Sequence, residues 1–329
     1  MTATPYALHC HEYGNPPLID ARPLPPDATP GPGEVLIEVA CAAFNFTDYL
    51  MIQGRYQDKP ALPFVPGLDA AGTVRAVGAG VASFAPGDKV ISSGVVGAWS
   101  ARLVAPAHRL VKIPGQVSAA DAVASINSHL TAYHGLIDRA ALQAGERVLV
   151  LGASGAVGQA AVQIALHRGA EVFTVARDGG LLQLAGPQGA ALRVPPAELK
   201  QGLRELLGAP GADVVVDPVG DFHTEAAVRN LGWRGRLLVI GFAAGDIPKI
   251  PANLLLLKGA TVMGVYCGGL LLRETAAFTS QLAAMLALID AGVLTPSPHE
   301  TLPAHRFDDI WARHADAPRG TKVLLGFTG

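Results

Sequence analysis

The segment Val148-Leu149-Val150-Leu151-Gly152-Ala153-Ser154-Gly155-Ala156-Val157-Gly158 limits the fold more than any other stretch of the chain. An apolar run reads as a buried strand, glycines at G-x-x-G-x-x-G spacing follow, and an amphipathic helix from about Ala156 to Arg168 stops at Gly169. Glycines let the backbone approach a pyrophosphate closely. The free amides at the helix start, Gly155, Ala156 and Val157, form an anion site reinforced by the helix dipole. Gly152 opens the turn and Ser154 adds a hydroxyl donor. A tight strand-to-helix turn that uses glycine only for steric reasons is the bland alternative. It is the weaker one, because the preceding strand, the helix and the next strand, Glu171 to Ala176, are all present.

The end of that second strand bears on the choice of dinucleotide. An acidic residue there accepts hydrogen bonds from the ribose 2′-hydroxyl of NAD, whereas a small residue followed by Arg accommodates a 2′-phosphate. Ala176 followed by Arg177 fits NADPH; Asp178, one position later, reaches the ribose of NADH if the strand ends later.

Strands alternate with helices around this motif: a capping box at Ser118-Ala119-Ala120-Asp121 opens a helix through Ala122, Ile126, Leu130, Tyr133 and Ile137, and strands follow at Arg147 to Leu151, Glu171 to Ala176, Ala212 to Asp217, Arg236 to Gly241 and Thr261 to Tyr266. Such alternation predicts a doubly wound parallel sheet. Before residue 115 the pattern differs. Short strands at Tyr6 to Glu12, Glu34 to Ala42, Gly72 to Val77, Asp88 to Ser92 and Trp99 to Val104 lie between Gly and Pro turns. The tail, ending in a strand from Lys322 to Phe327, is expected to rejoin this mostly β lobe. The expected division is 1–120 with 293–329 against 121–292, an α/β protein of two domains, as a length of 329 residues suggests.

Composition narrows the partners. Three cysteines, Cys10, Cys41 and Cys267, form no C-x-x-C pair, which argues against a disulfide framework or a cysteine-rich zinc lobe. The 25 basic residues are scattered and the net charge is -2, so nucleic acid is not an expected partner. No apolar run reaches the roughly 18 residues of a membrane helix. The start of the chain lacks a secretory leader, so the cytoplasm is the expected compartment. His9-Cys10-His11 lies in a strand, where Cys10 points away from both histidines, and His129 and His134 are five apart on a helix; neither pattern suits a metal.

With these patterns set down, the chain resembles the medium-chain dehydrogenase/reductases end to end, and within them the zinc-independent quinone oxidoreductase branch. The resemblance is carried by Asn45-Phe46-Thr47-Asp48 with Gly54-Arg55-Tyr56, Pro63-Phe64-Val65-Pro66-Gly67-Leu68-Asp69-Ala70-Ala71-Gly72, Thr131-Ala132-Tyr133, Asp217-Pro218-Val219-Gly220, Gly235-Arg236, Ile240-Gly241-Phe242 and Ile250 to Lys258. It implies a GroES-like mostly-β catalytic domain plus a Rossmann doubly wound parallel-sheet domain, and a homodimer through the Rossmann sheet edge. Where zinc-dependent relatives place Cys, His and Cys on a catalytic metal, the corresponding positions are Asn45, Leu68 and Asn127, so no metal is expected.

Without a metal, such a site relies on holding the nicotinamide close to an acceptor that takes hydride readily, such as a quinone or an enone, with a donor near the oxygen that gains charge. The resemblance implies Asn45 and Thr131 beside the nicotinamide or its ribose, Tyr56 as donor to substrate oxygen, and Asp48 as an orienting group. Asn45 and Asp48 equally suit a loop cap, and Tyr56 a packing aromatic. Val219, Gly241, Phe242 and Tyr266 occupy strand ends that face a ligand crevice in doubly wound sheets, although Phe242 and Tyr266 also suit a core. Three readings stay open: an NADPH:quinone reductase, an NADPH-dependent reductase of enones or enoyl thioesters, and a nucleotide-sensing or scaffolding protein without catalysis.

Overall fold

A computed structural model describes residues 4–25, 29–175, 190–192, 198–316 and 320–327. Two compact units divide them: 1–127 with 268–292 and 296–329, and 128–267 with 293–295. The first contains β1 (Tyr6–Glu12), β2 (Leu18–Pro23), β3 (Glu34–Ala43), α1 (Phe46–Ile52), β4 (Asp69–Val77), β5 (Lys89–Ser93), β6 (Arg102–Pro106), β7 (Leu110–Lys112) and most of α2 (Ala119–Tyr133). The second contains β8 (Arg147–Leu151), α3 (Ala156–His167), β9 (Glu171–Val175), β10 (Ala190–Leu192), α4 (Leu199–Leu207), β11 (Ala212–Asp217), α5 (Asp221–Arg229), β12 (Leu231–Val239), α6 (Ala252–Lys258) and β13 (Thr261–Gly264). After α7 (Cys267–Arg273), the chain supplies α8 (Thr275–Asp290), β14 (His299–Pro303), α9 (Phe307–Asp316) and β15 (Lys322–Gly326) to the first unit.

In the second unit six parallel strands run in the order β10-β9-β8-β11-β12-β13. Counted from β8 this is 3-2-1-4-5-6, the doubly wound order whose reversal lies between the first and fourth strands. Val148, Leu149 and Val150 of β8 and Val214, Val215 and Val216 of β11 are all fully buried, as central strands covered on both faces require.

In the first unit a seven-stranded sheet runs β14-β15-β3-β4-β5-β7, with β6 also paired to β3. The tail rejoins it as the sequence suggests: β15 pairs antiparallel with β3, setting Leu324 against Ala43 and Leu325 against Ala42. Behind β3, Phe44 meets Trp99 edge-on at 5.1 Å, and the Trp99 indole N–H donates to Ala43 O at 2.9 Å. This aromatic anchor fixes where β3 ends and α1 begins.

Several boundaries differ from the sequence reading. Trp99 is a buried core residue before the strand, not its first member, and the strand itself is β6. The fifth parallel strand begins at Leu231 rather than Arg236. The sequence reading does not include β2, β7 or α1: β2 is a mostly exposed edge strand in which only Ile19 packs on the core, β7 spans three residues, and α1 is two turns long. The unit boundary falls after Asn127, and 268–292 group with the first unit because α8 packs on β7 and the 3₁₀ turn Ala107–Arg109.

Candidate active site

The glycine loop of the second unit leaves the amides of Ala156 and Val157 open at the start of α3, but not that of Gly155, which was expected to be free: its N–H donates to Gly152 O at 2.9 Å and closes the turn. Gly152 closes β8 with a φ of 62°, a conformation that costs glycine little. A β-carbon at Gly158 would collide with Gly152 O and lie 2.7 Å from Ala153 Cα, so helix and strand meet here as closely as backbones can. At Gly155, the N-cap of α3, a β-carbon would meet nothing nearer than Gly152 O at 3.4 Å. Among the described residues no side chain caps α3. Gln159 Nε2 donates to Ser154 O at 3.0 Å, which turns that carbonyl back into the helix. The donor set, open amides at a helix start beside a hydroxyl, is the chemistry a dinucleotide pyrophosphate requires.

Other residues expected against the cofactor lie in the same unit. Asp217 ends β11 and accepts the backbone N–H groups of Val219 and Gly220, each at 2.9 Å, while Thr224 Oγ1 donates to its second oxygen. That clamp fixes the turn carrying Val219, onto which Ala244 folds through its N–H to Val219 O at 2.9 Å. Gly241 and Phe242 follow β12, and Phe242 and Tyr266 are exposed, which removes the core reading of both. Thr131 on α2 is part-buried and hydrogen-bonds the Cys267 thiol. Ala176 and Arg177 lie outside the described residues.

The first unit assembles a polar cluster that the sequence did not reveal as one. Asn45 caps α1; its backbone N–H donates to Asp48 Oδ2 at 2.8 Å, which makes Asp48 the orienting group of this turn. The Asn45 side chain meets two further partners. Its Nδ2 donates to Asp69 Oδ2 at 2.7 Å, and Lys322 Nζ donates to its Oδ1 at 3.2 Å. Ser93 Oγ donates to Asp69 Oδ1 at 2.6 Å. Asn45, Asp48, Asp69 and Ser93 are all buried.

Burial, reinforced by repulsion from Asp69, pushes the Asp48 carboxyl up to about 8 despite the opposing Asn45 N–H and Lys322 charge. Burial also raises Asp69, against the pull of Ser93, the Gly94 backbone, Lys322 and Asn45. Lys322 is lowered by burial, with both carboxylates acting the other way. Tyr56 stands in the turn after α1, half-buried against the core of the unit, its backbone N–H on Leu50 O at 3.2 Å.

Sequence reasoning named Asn45 and Asp48 but not Asp69, Ser93 or Lys322. Asp69 sits inside the quoted Pro-Gly segment, and Lys322 opens a strand whose next three residues, Val323, Leu324 and Leu325, are buried. A lysine leading directly into a buried strand was the available signal.

The His9-Cys10-His11 strand behaves as alternation requires: Cys10 is fully buried, while His11 Nε2 pairs with Asp20 at 2.8 Å. Among the described residues no group of three or more His, Cys, Asp or Glu is arranged to hold a metal.

Two family models match the chain: the alcohol dehydrogenase GroES-like domain over residues 31–115 and the zinc-binding dehydrogenase over residues 156–289. Quinone oxidoreductase-like protein 2 of Rattus norvegicus is 34% identical over 298 residues, covering 90% of this chain and 85% of the relative. The mycobacterial protein Rv1454c, solved in complex with NADPH, is 27% identical with a TM-score of 0.83 over 98% of this chain and 100% of that one. CurK enoyl reductase is 26% identical with a TM-score of 0.84 over 98% and 99% of the two chains.

The zinc in the second family's description does not fit the residues here. Leu68 has no ligand atom and packs on the apolar core, Asn127 is exposed, and the Asn45 carboxamide already accepts from an ammonium that would repel a cation.

Proposed function

This chain belongs to the medium-chain dehydrogenase/reductase superfamily, in its quinone oxidoreductase branch, and we propose that it is an NADPH-dependent, zinc-independent reductase whose acceptor is a quinone. The observation that carries the reading is the open glycine loop, Gly152 to Gly158, at the turn between the first strand and first helix of a 3-2-1-4-5-6 sheet. The NADPH complex of the mycobacterial relative supports the choice of dinucleotide.

In this reading the amides of Ala156 and Val157, with the Ser154 hydroxyl, hold the pyrophosphate, Gly155 lets it approach without a side chain, and Arg177 beside Ala176 takes the 2′-phosphate. Val219, Gly241, Phe242 and Tyr266 line the groove, and Asn45 and Thr131 position the nicotinamide side. NADPH, when bound, supplies a hydride from its nicotinamide C4. Tyr56 donates a hydrogen bond to the acceptor oxygen as that oxygen gains charge, and Asp48 keeps Asn45 in place through its backbone N–H. No metal-ligand set stands at Asn45, Leu68 and Asn127, so stabilisation of that oxygen falls to hydrogen-bond donors.

The likeness to CurK enoyl reductase supports a second reading with the same residues, reduction of an enone or enoyl thioester at its β-carbon. Stopped-flow oxidation of NADPH and NADH with a small quinone and with an enone, each against a blank without protein, separates them. Quinone turnover favouring NADPH is the expected result. Enone-selective turnover would replace the first reading with the second, and no turnover with either would remove both.

A homodimer in the cytoplasm completes the proposal. Among the described residues no helix is long and apolar enough to cross a membrane. β13 is the last strand on its side of the parallel sheet, and Leu256, Leu257 and Trp233 are 82%, 72% and 71% exposed nearby in sequence or packing. Sedimentation velocity tests it: Trp233→Ser with Leu256→Arg is expected to yield monomers, and an unchanged dimer would move the interface elsewhere.

A further inference from the structure

We propose that Lys322 is a positioning residue for this reduction: from the strand at the end of the chain it locks the carboxamide of Asn45 in one orientation, which makes the C-terminal tail part of the active site. The inference rests on the reading that Asn45 stands beside the cofactor.

A carboxamide has two orientations of nearly the same shape that exchange Oδ1 for Nδ2, and so exchange an acceptor for a donor at whatever the group faces. Here the two partners exclude one of them. An ammonium has three donors and no acceptor, so Lys322 Nζ at 3.2 Å demands an oxygen. Asp69 receives Ser93 Oγ on one oxygen and Asn45 Nδ2 on the other, as well as the Gly94 backbone, leaving the group set out as an acceptor. Flipping Asn45 would turn its NH₂ toward the ammonium and its carbonyl oxygen toward the carboxylate, two repulsive contacts in a buried site where charge is poorly screened. With Oδ1 also accepting the Asp48 backbone N–H of the capping box, the lock leaves Asn45 one side-chain N–H in a fixed direction.

The sheet explains how a residue 277 positions away reaches Asn45. β15 pairs with the end of β3, and Phe44 N–H donates to Val323 O at 3.2 Å, so the residue before Asn45 and the residue after Lys322 are joined by a ladder bond. Lys322 also faces Asp48 and the ring of His314 on α9, whose pKa is lowered by burial and by the Lys322 charge. A lysine that served only as counter-charge to two buried acids would not need a bond to the neutral Asn45.

That distinction is testable in a background where Asp69 carries no charge. Asp69→Asn and the double variant Asp69→Asn/Lys322→Met are compared with the wild type for kcat, KM and the side-chain ¹⁵N resonances of selectively labelled asparagine in cofactor-free protein. The double variant removes both charges together and so holds no uncompensated buried ion, whereas Asp69→Asn keeps Lys322 with Asp48 beside it. Asp69→Asn lowers kcat by itself. The double variant is expected to lower kcat about 10- to 100-fold further with KM for NADPH little changed, the scale of loss for a misplaced active-site group. Its Asn45 resonances should lose the shift and slow exchange seen in Asp69→Asn. Asp69→Asn/Lys322→Gln, which returns a donor without a charge, should recover part of kcat and serves as the readout if the methionine variant does not fold. A double variant equal to Asp69→Asn in both kcat and resonances would overturn the lock. A wild type that turns over no acceptor would overturn the reaction and, with it, the role of Lys322; unchanged resonances across the variants mark the other failure.

Discussion

The candidate site in the second unit is built of backbone, and the candidate site in the first is built of side chains. Around Gly152 to Gly158 no side chain among the described residues caps α3, so the surface offered is a set of amides whose directions the helix fixes, with the Ser154 hydroxyl beside them. Around Asn45, side chains from α1, β4, β5 and β15 bond into one another, and each fixes the next. A backbone site tolerates any substitution that adds no bulk. A side-chain site fails when one partner changes its charge or its donors, because the remaining groups are buried and cannot turn to water. The first kind is held by contiguous sequence; the second depends on the register between β3 and β15.

Bulk is therefore the sharpest tool against the second unit. Gly158→Val would drive side-chain atoms into Gly152 and Ala153, and is expected to weaken NADPH binding about 100-fold, or about 3 kcal/mol, by titration calorimetry. Gly155→Ala, where a β-carbon has room within the chain, should cost less than about 10-fold. Equal losses would break the claim that free space, not glycine as such, makes this site.

Charge is the tool against the first unit. The folded protein keeps a proton on Asp48 up to about pH 8, while the unfolded chain releases it near the ordinary value of 3.8. The native state thus binds more protons across that window, so Asp48 makes stability fall as pH rises from about 3.8 to about 8 and contributes no further slope above it. Urea unfolding at several pH values should show Asp48→Asn to have a flatter profile than the wild type. Parallel profiles would mean that Asp48 is ionised in the fold.

A smaller effect bears on cofactor choice. Arg177→Ala is expected to raise the dissociation constant for NADPH about 10-fold, about 1.4 kcal/mol, and that for NADH far less. Equal losses for the two cofactors would remove the 2′-phosphate contact.

The same contrast explains what could be read in advance. Strand, glycine loop and helix of the dinucleotide motif lie within a few turns of one another, so periodicity and spacing locate them in the chain, and the parallel alternation follows. The cluster around Asn45 draws on four separate segments, and nothing local in Ser93 or Lys322 points to Asn45. Helix α1 could have been found from the Asn-x-x-Asp spacing of Asn45 and Asp48, a capping pattern, but at seven residues it is too short for its apolar period to show. The exposure of Phe242 and Tyr266 was likewise illegible, because an aromatic after a strand has the same pattern whether it closes a core or lines a groove.

The most direct test of a metal-free NADPH reductase is quinone-dependent NADPH oxidation by the purified protein before and after exhaustive dialysis against a chelator. Turnover preserved after dialysis, faster with NADPH than with NADH, is the predicted result. Turnover lost on dialysis and restored by added zinc would contradict it, and would put a metal where Lys322 now meets Asn45.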